Sequence, residues 1–206
     1  MNLKDIKLTI VGLGYVGLPL ALEFSKKRKV FGFDINKKRV DQLNNSFDVN
    51  GEFKASELKV MKNIKYISEL KNSNCNCYII TAPTPIDQYQ KPDLNFLKNA
   101  ALMVSRILKK NDIVIFESTV YPGCTEEVCV PILEKGSNLK FNLDFFCGYS
   151  PERINPGDRS RTIRDIKKIV SGSNKQITDL ISNLYCEIIV AGVYPVKSIK
   201  VAEAAK

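Results

Sequence analysis

The chain contains no histidine. Ser-His-Asp and Cys-His catalysis are therefore excluded, as is any zinc site built on imidazole. A general base has to be Glu, Asp, Lys, Tyr or Cys. Also missing is any apolar run of the ~18–20 residues that a membrane-spanning helix needs, so no membrane association is expected. The six cysteines form no CxxC pair, which predicts reduced thiols in a cytoplasmic protein and no metal site. Met-Asn-Leu-Lys-Asp runs directly into an apolar segment, and no signal peptide is expected. There is no internal repeat, and no low-complexity tract beyond residues 71–77. Basic residues outnumber acidic ones, 31 to 22, for a net charge of +9. The one basic cluster, Lys26-Lys27-Arg28-Lys29, lacks the interleaved aromatics of a nucleic-acid site. It reads as a solvated helix end whose charge complements the helix dipole. No nucleic-acid partner is expected, whereas a basic surface suits phosphate-bearing small molecules.

What is present is organised around the first 34 residues. Ile6, Leu8, Ile10 and Val11 mark a strand, followed by Gly12-Leu13-Gly14-Tyr15-Val16-Gly17, an apolar helix, and Val30-Phe31-Gly32-Phe33-Asp34. The glycine spacing is the dinucleotide-binding fingerprint. Gly12 permits the tight turn, Gly14 lets a pyrophosphate approach the backbone, and Gly17 lets helix and sheet pack closely. The helix N-terminus offers N–H groups and a positive dipole end to phosphate. Asp34 stands twenty residues after Gly14, where a carboxylate accepts from ribose hydroxyls and repels a 2′-phosphate, favouring NAD. Pro19, about a turn into the helix, is expected to cost a hydrogen bond or a slight kink at most.

At 206 residues, with 44% apolar and 26% charged content, one globular domain is expected. Beyond Asp34 the pattern predicts a short helix over residues 36–45, with Val40 and Leu43 inward and Arg39 placed to cover an adenine. Residues 46–60 read as a polar connection or a small helix. Strands are expected at 64–67, 77–81, 113–116, 144–148, 166–170 and 187–190. Asp93 is a helix cap ahead of the stripe Leu94, Leu97, Ala101, Val104, Leu108. Thr125 opens a further helix, residues 174–185 form another, and Pro195 starts one still running at Lys206. Alternating strands and helices predict an α/β fold of the Rossmann type: a doubly wound, mostly parallel sheet with helices on both faces. Residues at the carboxyl ends of such strands line the ligand crevice, which places Pro83 and Thr84 near the cofactor.

Taken together, Gly12 to Pro19, Phe33-Asp34-Ile35-Asn36, Pro83-Thr84-Pro85, Glu117 to Gly123, Ser150-Pro151-Glu152-Arg153-Ile154-Asn155-Pro156-Gly157 and Ala202-Glu203-Ala204-Ala205-Lys206 resemble the UDP-glucose/GDP-mannose dehydrogenase family over the whole chain. The Ser-Pro-Glu-Arg-Ile-Asn-Pro-Gly form looks like the branch acting on UDP-N-acetylhexosamines. The resemblance implies oxidation of a nucleotide sugar's C6 alcohol to a carboxylate with two NAD+. It implies an aldehyde captured by a cysteine as a thiohemiacetal, then a thioester hydrolysed by water. It also implies that Thr119 and Glu152 flank the reacting centre, Glu152 as general acid/base, with Lys206 stabilising oxyanion charge and Ser118 and Thr119 near the cofactor. By the same resemblance, residues 1–194 are the NAD-binding domain, and residues 195–206 open a connecting helix that builds a homodimer or higher oligomer. The family's nucleophile lies in a Gly-Gly-x-Cys-x-x-Lys-Asp loop that this sequence lacks, and the asparagine after the family lysine is missing. A truncated N-terminal portion is therefore expected. The UDP-glucose branch carries a second glutamate where Pro156 stands, which argues against UDP-glucose.

Each site residue also has a plain structural reading. Glu152 as a solvated loop carboxylate, Thr119 as a turn cap and Lys206 as a frayed end are the alternatives. Cys147 and Cys124 are expected to be inert packing. Two other functions stay open at this point. One is a hydroxyacid-type dehydrogenase on the same fold, which leaves Ser-Pro-Glu-Arg unexplained. The other is a non-enzymatic NAD-sensing module, which needs neither Thr119 nor Glu152.

Overall fold

The computed structural model describes residues 2–86, 89, 91–153 and 162–206. Residues 154–157 of the Ser-Pro-Glu-Arg segment, Pro156 included, lie outside that set. The strands are β1 Leu8–Val11, β2 Val30–Phe33, β3 Ile64–Ile67, β4 Cys77–Ile80, β5 Ile113–Phe116, β6 Phe146–Tyr149, β7 Lys168–Gly172 and β8 Val193–Pro195. The helices are α1 Gly17–Ser25, α2 Lys37–Asn44, α3 Ala55–Lys59, α4 Asn95–Ser105, α5 Val130–Ser137, α6 Lys175–Cys186 and α7 Ile199–Ala204. The strands form one sheet in the order β3-β2-β1-β4-β5-β6-β7-β8. Every pairing is parallel except β6 with β7. The order reverses between β1 and β4, the switch point at which a doubly wound sheet opens its crevice.

Period-two alternation divides each central strand between two cores. Leu8 and Ile10, Cys77 and Ile79, and Ile113 and Ile115 face one side, packed under α1 and α6. Val11, Tyr78 and Ile80, and Val114 and Phe116 face the other, under α4, α5 and α7. Both faces of β1, β4 and β5 are buried, which explains why these strands read as continuous apolar runs. Pro19 is the third residue of α1; the Leu18 and Leu20 N–H groups donate to the Gly14 and Val16 carbonyls, so the proline forgoes only the one bond between them.

Three local expectations are revised. Residues 187–190 are not a strand. Ile188 and Ile189 both donate to the Tyr185 carbonyl as α6 ends, and both are buried against the first core. A four-residue apolar run cannot by itself distinguish a strand from a packed helix end. The edge strand is β8, and it contains Pro195, which an edge tolerates. The last helix accordingly begins at Ile199, not Pro195, with Ser198 capping the Val201 N–H. The helix expected from Thr125 begins as a π-helical turn, Thr125–Cys129, that continues into α5. Pro131 follows directly, and its ring would meet the carbonyl four residues back in a regular α-helix.

Candidate active site

A cleft of about 640 Å3 opens along the carboxyl ends of the strands. Its floor is the β1–α1 turn. Gly12 has a φ of +103°, and a Cβ on Gly17 would collide with the Gly12 carbonyl and Thr81 Oγ1. Thr81 Oγ1 donates to that same carbonyl at 3.0 Å. Gly17 thus lies beneath the cleft and not in its lining, and it lets α1 start against the turn. A Cβ on Gly14 would meet nothing within 4 Å. The missing side chain there leaves space in front of the backbone, as a pyrophosphate requires. No side chain caps the first turn of α1, which begins directly behind the Gly14, Tyr15 and Val16 that line the cleft.

Asp34 follows β2, with its carboxylate oriented by two backbone donors. Leu13 N–H reaches Oδ2 at 2.8 Å and Asn36 N–H reaches Oδ1 at 2.9 Å. Each oxygen keeps a lone pair for a ribose hydroxyl. Arg39 is 6% exposed, its Nε donates to the Leu13 carbonyl at 3.1 Å, and its Nη1 pairs with Asp48 at 2.7 Å. It lines not the main cleft but an adjoining hollow of about 350 Å3 shared with Gly14 and Asp34. The guanidinium thus braces the glycine turn from beside Asp34. Asp48 in turn accepts from the N–H groups of Asn50, Glu52 and Phe53. One buried carboxylate thus organises residues 48–53 as a polar loop, which leads into the short helix α3, Ala55–Lys59.

The loops after β4 and β5 are stitched together. Thr84 Oγ1 donates to the Thr119 carbonyl at 2.7 Å, and Ser118 Oγ donates to the Ala82 carbonyl at 2.6 Å. Tyr15, Val16, Pro83, Thr84, Ser118 and Thr119 all line the cleft, with Thr119 itself exposed. Glu152 and Lys206 line it as well. Glu152 is 7% exposed, its Oε2 lies 2.9 Å from Lys168 Nζ, and its backbone carbonyl accepts from Lys206 Nζ. Burial holds the Lys206 pKa below its ordinary value despite the pull of Glu152. Lys206 is therefore anchored to the Glu152 loop, not frayed.

A sequence model described as the UDP-glucose/GDP-mannose dehydrogenase family, NAD binding domain, matches residues 6–189. The chain belongs to this family. It is similar to the UDP-N-acetyl-D-glucosamine 6-dehydrogenase of Salmonella typhi, at 56% identity over 100% of the chain and 48% of that protein. The Pseudomonas aeruginosa protein of the same name is 55% identical over 99% of the chain and 49% of its own length. The chain thus spans about half the length of the curated relatives it matches. Among solved structures, NDP-N-acetyl-D-galactosaminuronic acid dehydrogenase from Methanosarcina mazei Go1 superposes with a TM-score of 0.87 at 29% identity, covering 98% of this chain and 46% of the other. The matched model is the family's NAD-binding domain, and the open cradle at Gly14 and the oriented Asp34 carboxylate fit that cofactor.

Within this domain the sequence reading missed the roles of four residues. Glu117 and Lys168 form a second buried ion pair at 2.9 Å, and the Tyr185 hydroxyl donates to Glu117 Oε1. A lysine among Ile166, Ile169 and Val170, where burial is expected, was the available signal. Glu203 was quoted only as part of a motif. It is 2% exposed and accepts from the N–H groups of Gly123 and Thr125 at 2.5 and 2.8 Å. From α7 it thus caps the helix that follows the Thr119 loop. Cys147 and Cys124 are buried. Burial pushes the Cys147 thiol well above its ordinary pKa, which suits packing. A hydrogen bond shared with Cys129 lowers the Cys124 thiol and raises its partner. Among the described residues, no helix is long and apolar enough to cross a membrane, and no group of three or more His, Cys, Asp or Glu is placed to hold a metal.

Proposed function

We propose that the chain supplies the cofactor half of a UDP-N-acetylhexosamine 6-dehydrogenase. The observation that carries this reading is the convergence of Thr119, Glu152 and Lys206 on the cleft that also holds Gly14 and Asp34. A non-enzymatic sensor has no use for the first three. Gly12, Gly14, Tyr15, Val16 and Asp34 hold the nucleotide. Bound NAD+ supplies a hydride acceptor at the sugar's C6. Glu152 takes the C6 hydroxyl proton, directly or through a water held by Thr119. The Lys206 ammonium stabilises the developing alkoxide. Oxidation of the aldehyde to the acid consumes a second NAD+ and needs a thiol nucleophile, and the buried cysteines of this domain are unsuited to that role. We assign that thiol and most of the UDP-sugar contacts to the part of the relatives' length that this chain does not span, the dimer contacts to the helix that residues 195–206 open, and the protein to the cytoplasm.

Calorimetric titration with NAD and NADP tests the cofactor assignment, and a preference for NADP sinks it. NADH formation from UDP-N-acetylglucosamine, measured in a protein extended to the length of the relatives, tests the substrate. The 206-residue chain alone should give no steady-state turnover. Turnover by this chain that Cys147→Ser abolishes would overturn the assignment of the thiol.

A further inference from the structure

Glu152 is held by more than its own loop. β7 runs antiparallel to β6, pairing Gly148 with Gly172 and Tyr149 with Ser171. Carried three places further, that register sets residue 152 opposite residue 168. There Lys168, 5% exposed, places Nζ 2.9 Å from Glu152 Oε2 and 2.9 Å from Glu117 Oε2. The Tyr185 hydroxyl donates to the other Glu117 oxygen, and its ring centroid lies 5.5 Å from Nζ. One cation thus sits between two carboxylates, in a place where an unpaired charge is costly.

We propose that Lys168 is a positioning residue for Glu152: braced by Glu117 and Tyr185, it fixes the carboxylate at the cleft and keeps it ionised, while Glu117 supplies the negative charge that lets Glu152 accept a proton. The proposal rests on the reading of Glu152 as the acid–base group. Its logic is a charge count. With both glutamates ionised the trio carries one net negative charge. When Glu152 takes the substrate proton, a neutral Lys168–Glu117 pair remains. Without Glu117, the same step would strand a buried ammonium. Without Lys168, two buried carboxylates would repel, and one would stay protonated. The direction of the shifts agrees. Burial lowers the Lys168 pKa, but Glu117 and Glu152 outweigh it and raise it overall. Burial raises that of Glu117, with Lys168 opposing and Glu152 adding. Among the described residues, the other titratable groups facing the cluster include the Lys206 ammonium, the Arg153 guanidinium, the Tyr149 hydroxyl beside Glu117 and, beyond Tyr185, the buried Cys77 thiol. The test leaves all four in place.

The test is a pH titration of the 206-residue chain carrying 13C-carboxyl glutamate, with the Glu152 signal assigned from Glu152→Gln. Lys168→Met should raise the Glu152 midpoint by about one unit or more, and Glu117→Gln should lower it by a similar amount, the scale of a charge within ~4–6 Å. Lys168→Arg should return it toward the wild-type value. A purely structural role predicts no such opposition of sign. Midpoints that stay put in both variants, or move the same way, overturn the proposal. If Lys168→Met does not fold, Glu117→Gln decides alone, and an unmoved or raised midpoint refutes the inference. NAD titration of the same samples separates the two claims. Wild-type chain that fails to bind NAD removes the functional reading, and the carboxyl midpoints still judge Lys168.

Discussion

At the nucleotide end of the cleft, recognition is built from backbone: the Gly12–Gly17 turn, the first turn of α1 and one half-buried carboxylate, Asp34, oriented by two N–H groups. At the chemical end it is built from buried side-chain charge. Glu117, Glu152, Lys168 and Tyr185 come from the ends of β5 and β6, from β7 and from α6. The sheet order sets the two ends apart. Between β2 and β6 lie β1, β4 and β5, about 19 Å at ~4.8 Å per strand spacing. The backbone end depends on shape and on the single charge of Asp34. The charged end is an interdependent set in which removing one partner exposes the others to the cost of burial.

Four substitutions probe that contrast. The largest effect is expected from Glu152→Gln in a protein extended to the length of the relatives. The amide keeps size and reach but accepts no proton, so kcat should fall ~10²–10⁴-fold with NAD affinity unchanged. Wild-type turnover would reduce Glu152 to a loop residue and erase the distinction between the two ends. Next is Lys168→Met, which leaves two carboxylates buried beside each other. Stability should drop by about 3–5 kcal/mol in urea denaturation, with Lys168→Arg much milder. A neutral result would show that water enters the cluster. At the other end, Asp34→Ala removes an ionised acceptor and should weaken NAD binding by about 1.5–3 kcal/mol while narrowing the NAD over NADP preference. Calorimetry reads both, and an unchanged preference would mean that shape alone selects the cofactor. The smallest effect is expected from Glu203→Gln, which weakens a charged cap on the helix after the Thr119 loop. About 1 kcal/mol should be lost from thermal stability, and a larger loss would tie α7 more closely to the chemical end.

The nucleotide end was legible in the sequence because its parts are close neighbours with distinct steric demands. Gly12 at φ +103° and Gly17 under the Gly12 carbonyl are positions that only glycine fits. The chemical end was legible only in part. Glu152 and Thr119 were found through a family resemblance, and Lys206 with them. Lys168 and Tyr185 went unseen, because neither residue carries a local mark of its partner. The pairing of Arg39 with Asp48 went unseen for the same reason, because only the folded loop brings the two together. The strand expected at residues 187–190 failed because a short apolar run fits either a strand or the packed end of a helix.

By itself the sequence determined the alternation of strands and helices, the dinucleotide turn, the acidic residue at the end of the second strand, and the exclusion of histidine chemistry. These follow from backbone sterics, side-chain period and residue inventory, all of which act over a few positions. The tertiary structure alone decided that β7 returns antiparallel beside β6, that Lys168 thereby meets Glu117 and Glu152, and that Glu203 reaches across from α7 to cap a helix 78 residues earlier in the chain. Strand order and register set those meetings, and they arise from how the whole sheet buries its two faces.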